Sequence, residues 1–221
     1  MILPLQAFFF RDPFNDHIAD ILEEIYLKQV YFPFLVGKSN LTIVDFGANQ
    51  GLTAYYLSHY GKVYAVEPSV RHLEAMGEMI KFNKIENIVV CPYAISNRNS
   101  KERFYHWPNY TSFSLTMPPP VVPQDDFEEV EVISFGEFIK RNKLTKIDLL
   151  KLDLEGEESK VIMSDDFIKF APNISAIIGE WHEHTPLTQL QFQRHLESLG
   201  FSFKWLPNMK ASVFTAFRYA N

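Results

Sequence analysis

The feature that most constrains the fold is the alternation of short apolar runs with helical segments along the chain. Two of the intervening segments predict helices, "GLTAYYLSHY" ended by Gly61 and "SVRHLEAMGEMIKFN" with Ser69 as its N-cap. Apolar strands without polar alternation, separated by helices, indicate a parallel sheet that is covered on both faces. The sequence therefore predicts an α/β fold. The predicted strands are "LTIVDFG", "KVYAVEP", "NIVVCPYAI", "KIDLLKLDL" and "ISAIIGEW".

The C-terminal part of the chain departs from this alternation. After a helix "TPLTQLQFQRHLESLG", with Pro186 early and Gly200 just past its end, come the predicted strands "FSFKWL" and "ASVFTAF". Only "PNMK" separates these strands. A link this short cannot make a parallel crossover, so the two strands must be antiparallel. The sheet is expected to be mostly parallel, with one reversed strand near its end.

Size and composition predict a single domain over residues 1–221, because 221 residues with 47% hydrophobic content can bury a full core. The net charge of −6 and the lack of a basic stripe argue against nucleic acid as a partner. The single cysteine, Cys91, excludes an internal disulfide, is interpreted as a core residue and fits a reducing, cytoplasmic location.

Residues 1–36 are predicted to form an N-terminal helical arm. Residues 16–31 have apolar side chains at helical spacing, with Asn15 or Asp16 as the cap. The preceding "MILPLQAFFF" is shorter than the roughly 20 residues that span a bilayer, and it lacks the basic region of a signal peptide. The arm is expected to pack on the domain or on a second subunit, and the latter would make the protein a homodimer.

Residues 101–133 interrupt the α/β pattern with several aromatic residues and then four prolines. A β excursion followed by an extended, mobile loop is expected there. Two interpretations stay open and are compatible: a surface hairpin that packs its aromatic side chains into the core, and a lid over a substrate pocket.

The segment "VDFGANQG" joins the first strand to the next helix and predicts a ligand-binding turn. Gly47 follows Asp45 by two residues, and Gly51 follows Gly47 by four. Gly47 can adopt positive φ and leaves room for a ligand against the backbone. Glu67 ends the next strand, 20 residues after Gly47 (67 − 47), where a carboxylate can bind a ribose diol.

Both NAD and S-adenosylmethionine (SAM) carry such a ribose, and three features favour SAM. Asn49 occupies the second glycine position that a dinucleotide pyrophosphate requires. Asp45 would repel a pyrophosphate but suits the ammonium group of a methionine moiety. The reversed C-terminal strand does not fit an all-parallel NAD-binding sheet. A tight turn without any ligand is the remaining alternative.

The order of several segments resembles the FkbM family of SAM-dependent methyltransferases, over about residues 41–184. The segment "IDLLKLDLEG" is the most specific part of this resemblance; the others are "VDFGANQGLTAYYL", "VYAVEPS", "NIVVCPYAIS" and "IIGEWHEH". The resemblance implies a Rossmann-like class I methyltransferase fold with strand order 3-2-1-4-5-7-6 and methylation of hydroxyl groups on varied substrates, including sugars and polyketides. Ser69 stands where the family often has Asn, which leaves the ribose role of Glu67 unchanged.

The candidate cofactor-binding residues lie in the glycine-rich turn and at the ends of the first four strands. They are Asp45, Gly47, Asn49, Gly51, Glu67, Ala94, Ile95 and Asp153.

Four carboxylates follow the fourth strand, in "KIDLLKLDLEGEE". Asp153 and Glu155 alternate onto one face of the strand end, next to the expected cationic cofactor. Glu157 and Glu158 are predicted to be solvated residues in the first turn of the next helix, where the helix dipole favours acids. Methyl transfer to oxygen needs alignment and a base for the hydroxyl proton. The candidate catalytic residues are Asp153, Glu155, Glu180 and His182, and His184 falls on the same face as the last two.

Metal binding is the rival interpretation of these acids. Asp153, Glu155 and Glu180 could hold Mg²⁺, and His182 would shift the preference toward Zn²⁺, Mn²⁺ or Fe²⁺. A required divalent metal is not favoured, and no residue is assigned as a metal ligand, because no dense motif such as H-E-x-x-H is present.

The leading functional hypothesis is a SAM-dependent O-methyltransferase that acts on a small-molecule or saccharide acceptor. The alternatives are an N-methyltransferase, a catalytically inactive SAM-binding module and an NAD-dependent enzyme.

Overall fold

The computed structural model describes residues 18–106, 113–115, 127–183, 186–207, 209 and 212–218. The strands are β1 (Leu41–Phe46), β2 (Gly61–Val66), β3 (Ile88–Cys91), β4 (Ala94–Ser96), β5 (Ser100–His106), β6 (Phe113–Ser114), β7 (Phe127–Ser134), β8 (Leu149–Leu152), β9 (Ala176–Glu180), β10 (Ser202–Trp205) and β11 (Val213–Phe217). The helices are α1 (Ile18–Leu22), α2 (Phe32–Leu35), α3 (Leu52–Ser58), α4 (Val70–Phe82), α5 (Phe135–Arg141), α6 (Glu158–Ile162), α7 (Asp165–Phe170) and α8 (Gln189–Ser198). A π-helical turn (Glu23–Leu27) and a 3₁₀ turn (Ala171–Asn173) complete the elements.

The main sheet has seven strands in the order β10-β11-β9-β8-β1-β2-β3. β1 pairs in parallel with β2 and β8, and β8 pairs in parallel with β9. β11 is antiparallel to both of its neighbours, β9 and β10. Numbered among themselves, these strands have the expected order 3-2-1-4-5-7-6, so the predicted mostly parallel sheet with one reversed strand is confirmed.

Apolar side chains cover both faces of this sheet. On β1, Val44 and Phe46 belong to one buried cluster and Ile43 belongs to the other, as the two-residue period of a strand requires. The first cluster includes Phe138, Phe167 and Phe192 from α5, α7 and α8. The second cluster takes Leu57 and Met76 from α3 and α4. The expectation of helices on both faces is therefore confirmed.

The predicted third strand is wrong as one continuous element. It is broken after Cys91, because Pro92 has no backbone N–H with which to continue the ladder. β3 ends the main sheet, and β4 begins a second sheet of four strands in the order β4-β7-β5-β6. The Cys91 side chain is buried, as predicted, and burial raises the pKa of its thiol.

The second sheet contains the described part of the predicted excursion at residues 101–133. β4 pairs in parallel with β7, and β5 is antiparallel to β7 and β6. Phe104 packs with Val130 and Val132 in a small core beneath this sheet. Residues 107–112 and 116–126, which carry the predicted lid loop, lie outside the described residues.

The N-terminal segment is helical but irregular. The predicted helix over residues 16–31 appears as α1 followed by the π-helical turn, and its predicted caps, Asn15 and Asp16, lie outside the described residues. Ile25 is buried, and the ring of Tyr26 packs edge-on against Tyr56 of α3 with 5.6 Å between ring centroids. Within the described ranges, no helix has the length and hydrophobicity that a bilayer crossing demands.

One helix end differs from prediction, and another has its predicted N-cap residue but a different hydrogen bond. α3 ends at Ser58, and Gly61 begins β2 rather than ending the helix. Ser69 is the N-cap residue of α4, but its side chain does not accept the capping hydrogen bond. Its hydroxyl donates instead to Glu128 of β7, whose carboxylate also accepts the N–H of Val70 at 2.8 Å. The start of α4 is thus tied to the second sheet.

The last helix ends as the sequence predicts but begins later. α8 starts at Gln189 rather than near Pro186, because Thr188 and Gln191 form a reciprocal capping box two residues after the proline. Gly200 follows the helix with a φ of +88°, the left-handed conformation that terminates helices.

Candidate functional site

The glycine-rich turn between β1 and α3 lies against the loop that follows β8. Gly47, Asn49 and Gly51 all have positive φ, at +77°, +49° and +89°. A Cβ atom at position 47 would lie 1.9 Å from the carbonyl oxygen of Asp153. The turn therefore requires glycine at position 47 for two reasons, the backbone conformation and the close approach of a second backbone.

Glu67, at the end of β2, is fixed by the backbone around it. Its Oε2 accepts the N–H of Asn49 at 3.0 Å, and its Oε1 accepts the N–H of Ser69 at 2.9 Å. The Nδ1 atom of buried His72 lies 3.3 Å from the same Oε1. The carboxylate is only 4% exposed, and it faces the cavity in front of the glycine-rich turn. It is therefore a rigid acceptor at the wall of this cavity.

A single cavity brings together most of the candidate cofactor residues. Among its lining residues are Gly47, Asn49, Glu67, Ala94, Ile95 and Asp153. Two candidates do not line it within the described chain: Asp45 is fully buried, and Gly51 packs against Met76 and Met79 of α4.

The cavity also has a wall that sequence reasoning missed. Ile21, Glu24 and Tyr31 line it from the N-terminal segment. Burial raises the pKa of the Tyr31 hydroxyl, while the nearby ammonium of Lys151 opposes that shift. The only sequence signal for this wall is the apolar face of the predicted arm, which indicates packing but not where the arm packs.

A buried lysine also escaped the sequence analysis. Lys151 lies in β8, and its Nζ is 3.3 Å from Asp45 Oδ1 and 3.3 Å from Asp153 Oδ2. Burial alone would lower the pKa of this ammonium, but Asp45 and Asp153 raise it above its usual value. Burial raises the pKa of Asp45, and Lys151 opposes that change. A lysine inside the apolar run "LLKLDL" is the signal that could have revealed this pair, because an unpaired buried charge is costly.

The contact with Lys151 argues against the predicted role of Asp45 as a ligand of the cofactor's ammonium group. The Asp45 carboxylate is 0% exposed and already has a cation, Lys151, next to it. The geometry favours Asp45 as the buried partner of Lys151 rather than as a direct ligand of the cofactor.

The loop after β8 is held in an unusual conformation by Glu158. Glu155 has a φ of +51° and Gly156 a φ of +109°, so two consecutive residues are left-handed. The Glu158 carboxylate accepts the N–H of Leu154 at 2.6 Å and the N–H of Gly156 at 3.1 Å. A non-glycine residue with positive φ persists only where its surroundings fix it, and such residues cluster at functional sites.

The prediction that Glu157 and Glu158 are solvated is wrong. They are 1% and 0% exposed. Glu157 accepts hydrogen bonds from the Ser96 hydroxyl of β4 and from the Lys160 ammonium, both at 2.5 Å. Both acids are buried because local donors and one distant side chain each, Ser96 for Glu157 and His182 for Glu158, satisfy their oxygens.

His182, just after β9, joins the acids into one cluster. Its Nδ1 is 3.0 Å from Glu158 Oε1, and its Nε2 is 3.3 Å from Glu155 Oε2 and 3.6 Å from Glu180 Oε1. Burial would lower the pKa of the imidazole, but Glu155 and Glu158 raise it well above its usual value. Burial, followed by the charge of Asp153, raises the pKa of Glu180, and His182 opposes this.

The structure therefore brings the four predicted catalytic residues to one edge of the sheet. Asp153 and Glu155 line the cavity, whereas Glu180 and His182 stand next to it through contacts with Glu155 and with each other. His184 lies outside the described residues. Asp153, Glu155 and His182 each offer one ligand atom, and these atoms lie within 4.8 Å of one another, a spacing that a divalent ion could bridge.

The sequence of the chain matches the family model for the methyltransferase FkbM domain over residues 45–205. The chain belongs to the FkbM methyltransferase family. The match includes the glycine-rich turn, Glu67, the acidic loop and His182. The family match and the class I strand order together identify a SAM-dependent methyltransferase.

Solved structures agree with the fold at low sequence identity. The methyltransferase FkbM from Methylobacillus flagellatus is 14% identical, with a TM-score of 0.56; the alignment covers 80% of this chain but only 43% of that one. The fibrillarin from Aeropyrum pernix, solved with natively bound SAM, is 14% identical with a TM-score of 0.51, covering 93% of this chain and 75% of that one. An rRNA-methylase described as putative, from Clostridium thermocellum, has 7% identity and a TM-score of 0.54, covering 88% and 95%. No curated protein matches significantly.

Proposed function

We propose that this FkbM family member transfers the methyl group of SAM to a hydroxyl oxygen of a small-molecule or saccharide acceptor. One observation carries the proposal: the cavity in front of the glycine-rich turn contains Glu67 and is also lined by Asp153 and Glu155 of the acidic cluster. A ribose-binding acid and a group of candidate proton acceptors thus share one cavity, which a methyl transfer between two ligands requires.

The residues of this cavity fit the parts of SAM. The rigid Glu67 carboxylate suits the ribose hydroxyls, because each oxygen accepts one backbone N–H and Oε2, which is not the oxygen that His72 approaches, keeps a further lone pair for a ligand. Gly47 lines the cavity, and its missing side chain lets the Asp153 backbone pack against the turn, which brings the acidic loop close to a bound ligand. The negative charge of Asp153 and Glu155 suits a sulfonium. We infer that the methionine end of SAM points from the glycine-rich turn toward these acids.

The chain's own contribution to the reaction is alignment and proton removal. When bound, SAM supplies an electrophilic methyl group on a sulfonium sulfur. We infer that Asp153 accepts the proton of the acceptor hydroxyl on Oδ1, since Lys151 holds Oδ2. The acceptor oxygen forms the new C–O bond as the C–S bond breaks, and the electron pair of that bond remains on sulfur. Alignment can contribute about 7–11 kcal/mol in favourable cases, and a base adds roughly 10²–10⁴-fold.

Product analysis tests the type of transfer. Screened acceptors that carry hydroxyl or amino groups are incubated with ¹³C-methyl SAM, and S-adenosylhomocysteine and the labelled methyl resonance are measured. The proposal expects a methyl ether. A labelled N-methyl product would assign the protein to amine methylation, and a lack of S-adenosylhomocysteine with every acceptor would favour an inactive cofactor-binding module.

Glu67→Ala is expected to weaken S-adenosylhomocysteine binding by about 10–100-fold. The loss corresponds to one hydrogen bond to a charged acceptor, at roughly 1.5–3 kcal/mol. Calorimetry measures the affinity. Glu74→Ala, at an exposed position on α4, is the matched control and should bind like the wild type. Unchanged affinity in Glu67→Ala would place the ribose elsewhere.

Chelation separates proton transfer to Asp153 from metal assistance. A divalent ion held by Asp153, Glu155 and His182 would acidify an acceptor hydroxyl directly. Under our proposal, protein dialysed against EDTA keeps its methylation rate within about twofold, because a carboxylate base alone contributes the expected 10²–10⁴-fold. Loss of the rate, followed by its recovery with Mg²⁺ or Mn²⁺, would mean that a metal ion rather than the Asp153 carboxylate activates the acceptor hydroxyl.

A further inference from the structure

Lys151 is a buried cation that the proposed reaction does not use directly. It lies in β8 between two apolar leucines, and it is 8% exposed. Its Nζ donates to the carbonyl oxygen of Gly47 at 2.8 Å and lies within 3.3 Å of one carboxylate oxygen of Asp45 and one of Asp153. The ammonium also lies 3.4 Å from the carbonyl oxygen of Phe46, so it is surrounded by two backbone carbonyls, to which it donates, and two carboxylates, with which it forms ion pairs. Lys151 is therefore arranged to hold protein groups rather than to bind the cofactor.

The Asp153 carboxylate needs such a cation because other acids surround it. A carboxylate oxygen of Asp153 lies within 4.8 Å of one from Glu155. Like charges at this distance repel each other, and a carboxylate without an opposing cation would turn away. His182 also lies in this cluster, where it pairs with Glu155 and Glu158. The Lys151 ammonium, at 3.3 Å from Asp153 Oδ2, forms the ion pair with Asp153 itself. Its bond to the Gly47 carbonyl fixes that ammonium relative to the glycine-rich turn.

We propose that Lys151 is a positioning residue for methyl transfer: it fixes the Asp153 carboxylate at the cofactor cavity, with Asp45 as its buried counterion. This inference rests on the proposed function, in which Asp153 is the base. Asp45 in β1 and Lys151 in β8 together hold Asp153 in one orientation toward the acceptor.

A purely structural role for Lys151 makes a different prediction. If the lysine only neutralises Asp45, a variant that lacks both charges needs no lysine, and its stability and kcat should match those of Asp45→Asn alone. Replacing both members of a buried ion pair is often neutral for stability, whereas removing one member leaves a costly buried charge. The double variant Lys151→Met/Asp45→Asn therefore separates stability from catalysis.

The experiment compares the double variant with Asp45→Asn alone, so that any effect of Asp45 on the cofactor is common to both. Melting temperature is measured, together with kcat at saturating SAM and acceptor. We expect the melting temperature of the double variant to lie within a few degrees of that of Asp45→Asn, and its kcat to be at least 10-fold lower. In an Asp153→Asn/Asp45→Asn background, Lys151→Met should reduce kcat less than about threefold further, because its effect passes through Asp153.

Equal kcat values for the double variant and Asp45→Asn would overturn the positioning role. If the double variant does not fold, Lys151→Gln/Asp45→Asn keeps a donor for the Gly47 carbonyl, and the same comparison and criterion apply. Failure of the proposed function has a different signature, because Asp153→Asn would then retain the full rate whatever the lysine variants do.

Discussion

Asp153→Asn is expected to lower kcat by roughly 10²–10⁴-fold, the usual contribution of a positioned base. The amide is nearly the same shape as the carboxylate but cannot take up the acceptor proton. S-adenosylhomocysteine affinity should change by less than about threefold, because Glu67 and the glycine-rich turn are untouched. Rates are measured as S-adenosylhomocysteine formation with an acceptor identified by screening, at saturating concentrations of both substrates.

Asp165→Asn is the matched control for this substitution. Asp165 is exposed at the start of α7 and does not line the cavity, so its variant should have the wild-type rate. A wild-type rate in Asp153→Asn would remove Asp153 from the mechanism and leave Glu155, Glu180 and His182 as the candidates. Loss of stability and cofactor affinity together would instead indicate a structural acid that holds the strand end.

Gly47→Ala is expected to destabilise the protein and to abolish S-adenosylhomocysteine binding. A non-glycine residue at a φ of +77° costs about 1–3 kcal/mol where it is not accommodated. The new methyl group would also lie 1.9 Å from the Asp153 carbonyl oxygen, and forcing atoms into a packed site typically costs a further 1–3 kcal/mol. The backbone must then separate the turn from the acidic loop, which opens the cavity that the cofactor needs.

Gly77→Ala is the control for the same chemical change. Gly77 lies within α4, and a Cβ atom there would have no atom within 4 Å among the described residues. Alanine in a helix interior is about 0.5–1 kcal/mol more favourable than glycine, so this variant should be slightly more stable than the wild type. Urea unfolding measures both variants. A Gly47→Ala protein as stable as Gly77→Ala would mean that the two loops do not meet as described.

Local patterns and connection lengths predicted the strands of the main sheet and its reversed pair, whereas the strand order came from the family resemblance. The short link "PNMK" required antiparallel pairing, and β10 and β11 pair in this way. The break between β3 and β4 was missed because the apolar pattern continues across Pro92, although the backbone donor does not. A missing N–H can move the chain from one sheet to another without any change in hydrophobicity.

The candidate site was predictable at its strand ends but not in its supporting contacts. Glu67 and Asp153 were found because the ends of adjacent parallel strands meet at one edge of a sheet. Glu157 and Glu158 were misread because their burial depends on Ser96 of β4 and His182 after β9, which lie far away in sequence. A local pattern shows where an acid begins a helix, but only the tertiary structure shows which donors satisfy it.

The N-terminal wall of the cavity limits how far the chain can be truncated from its N-terminus. The family match begins at residue 45, and the seven-stranded sheet begins at Leu41, so a minimal version cut there would keep every strand of that sheet. It would nevertheless lack Ile21, Glu24 and Tyr31, which form one side of the cavity that we propose for the cofactor. We therefore expect the smallest active fragment to be larger than the region that sequence similarity alone would delimit.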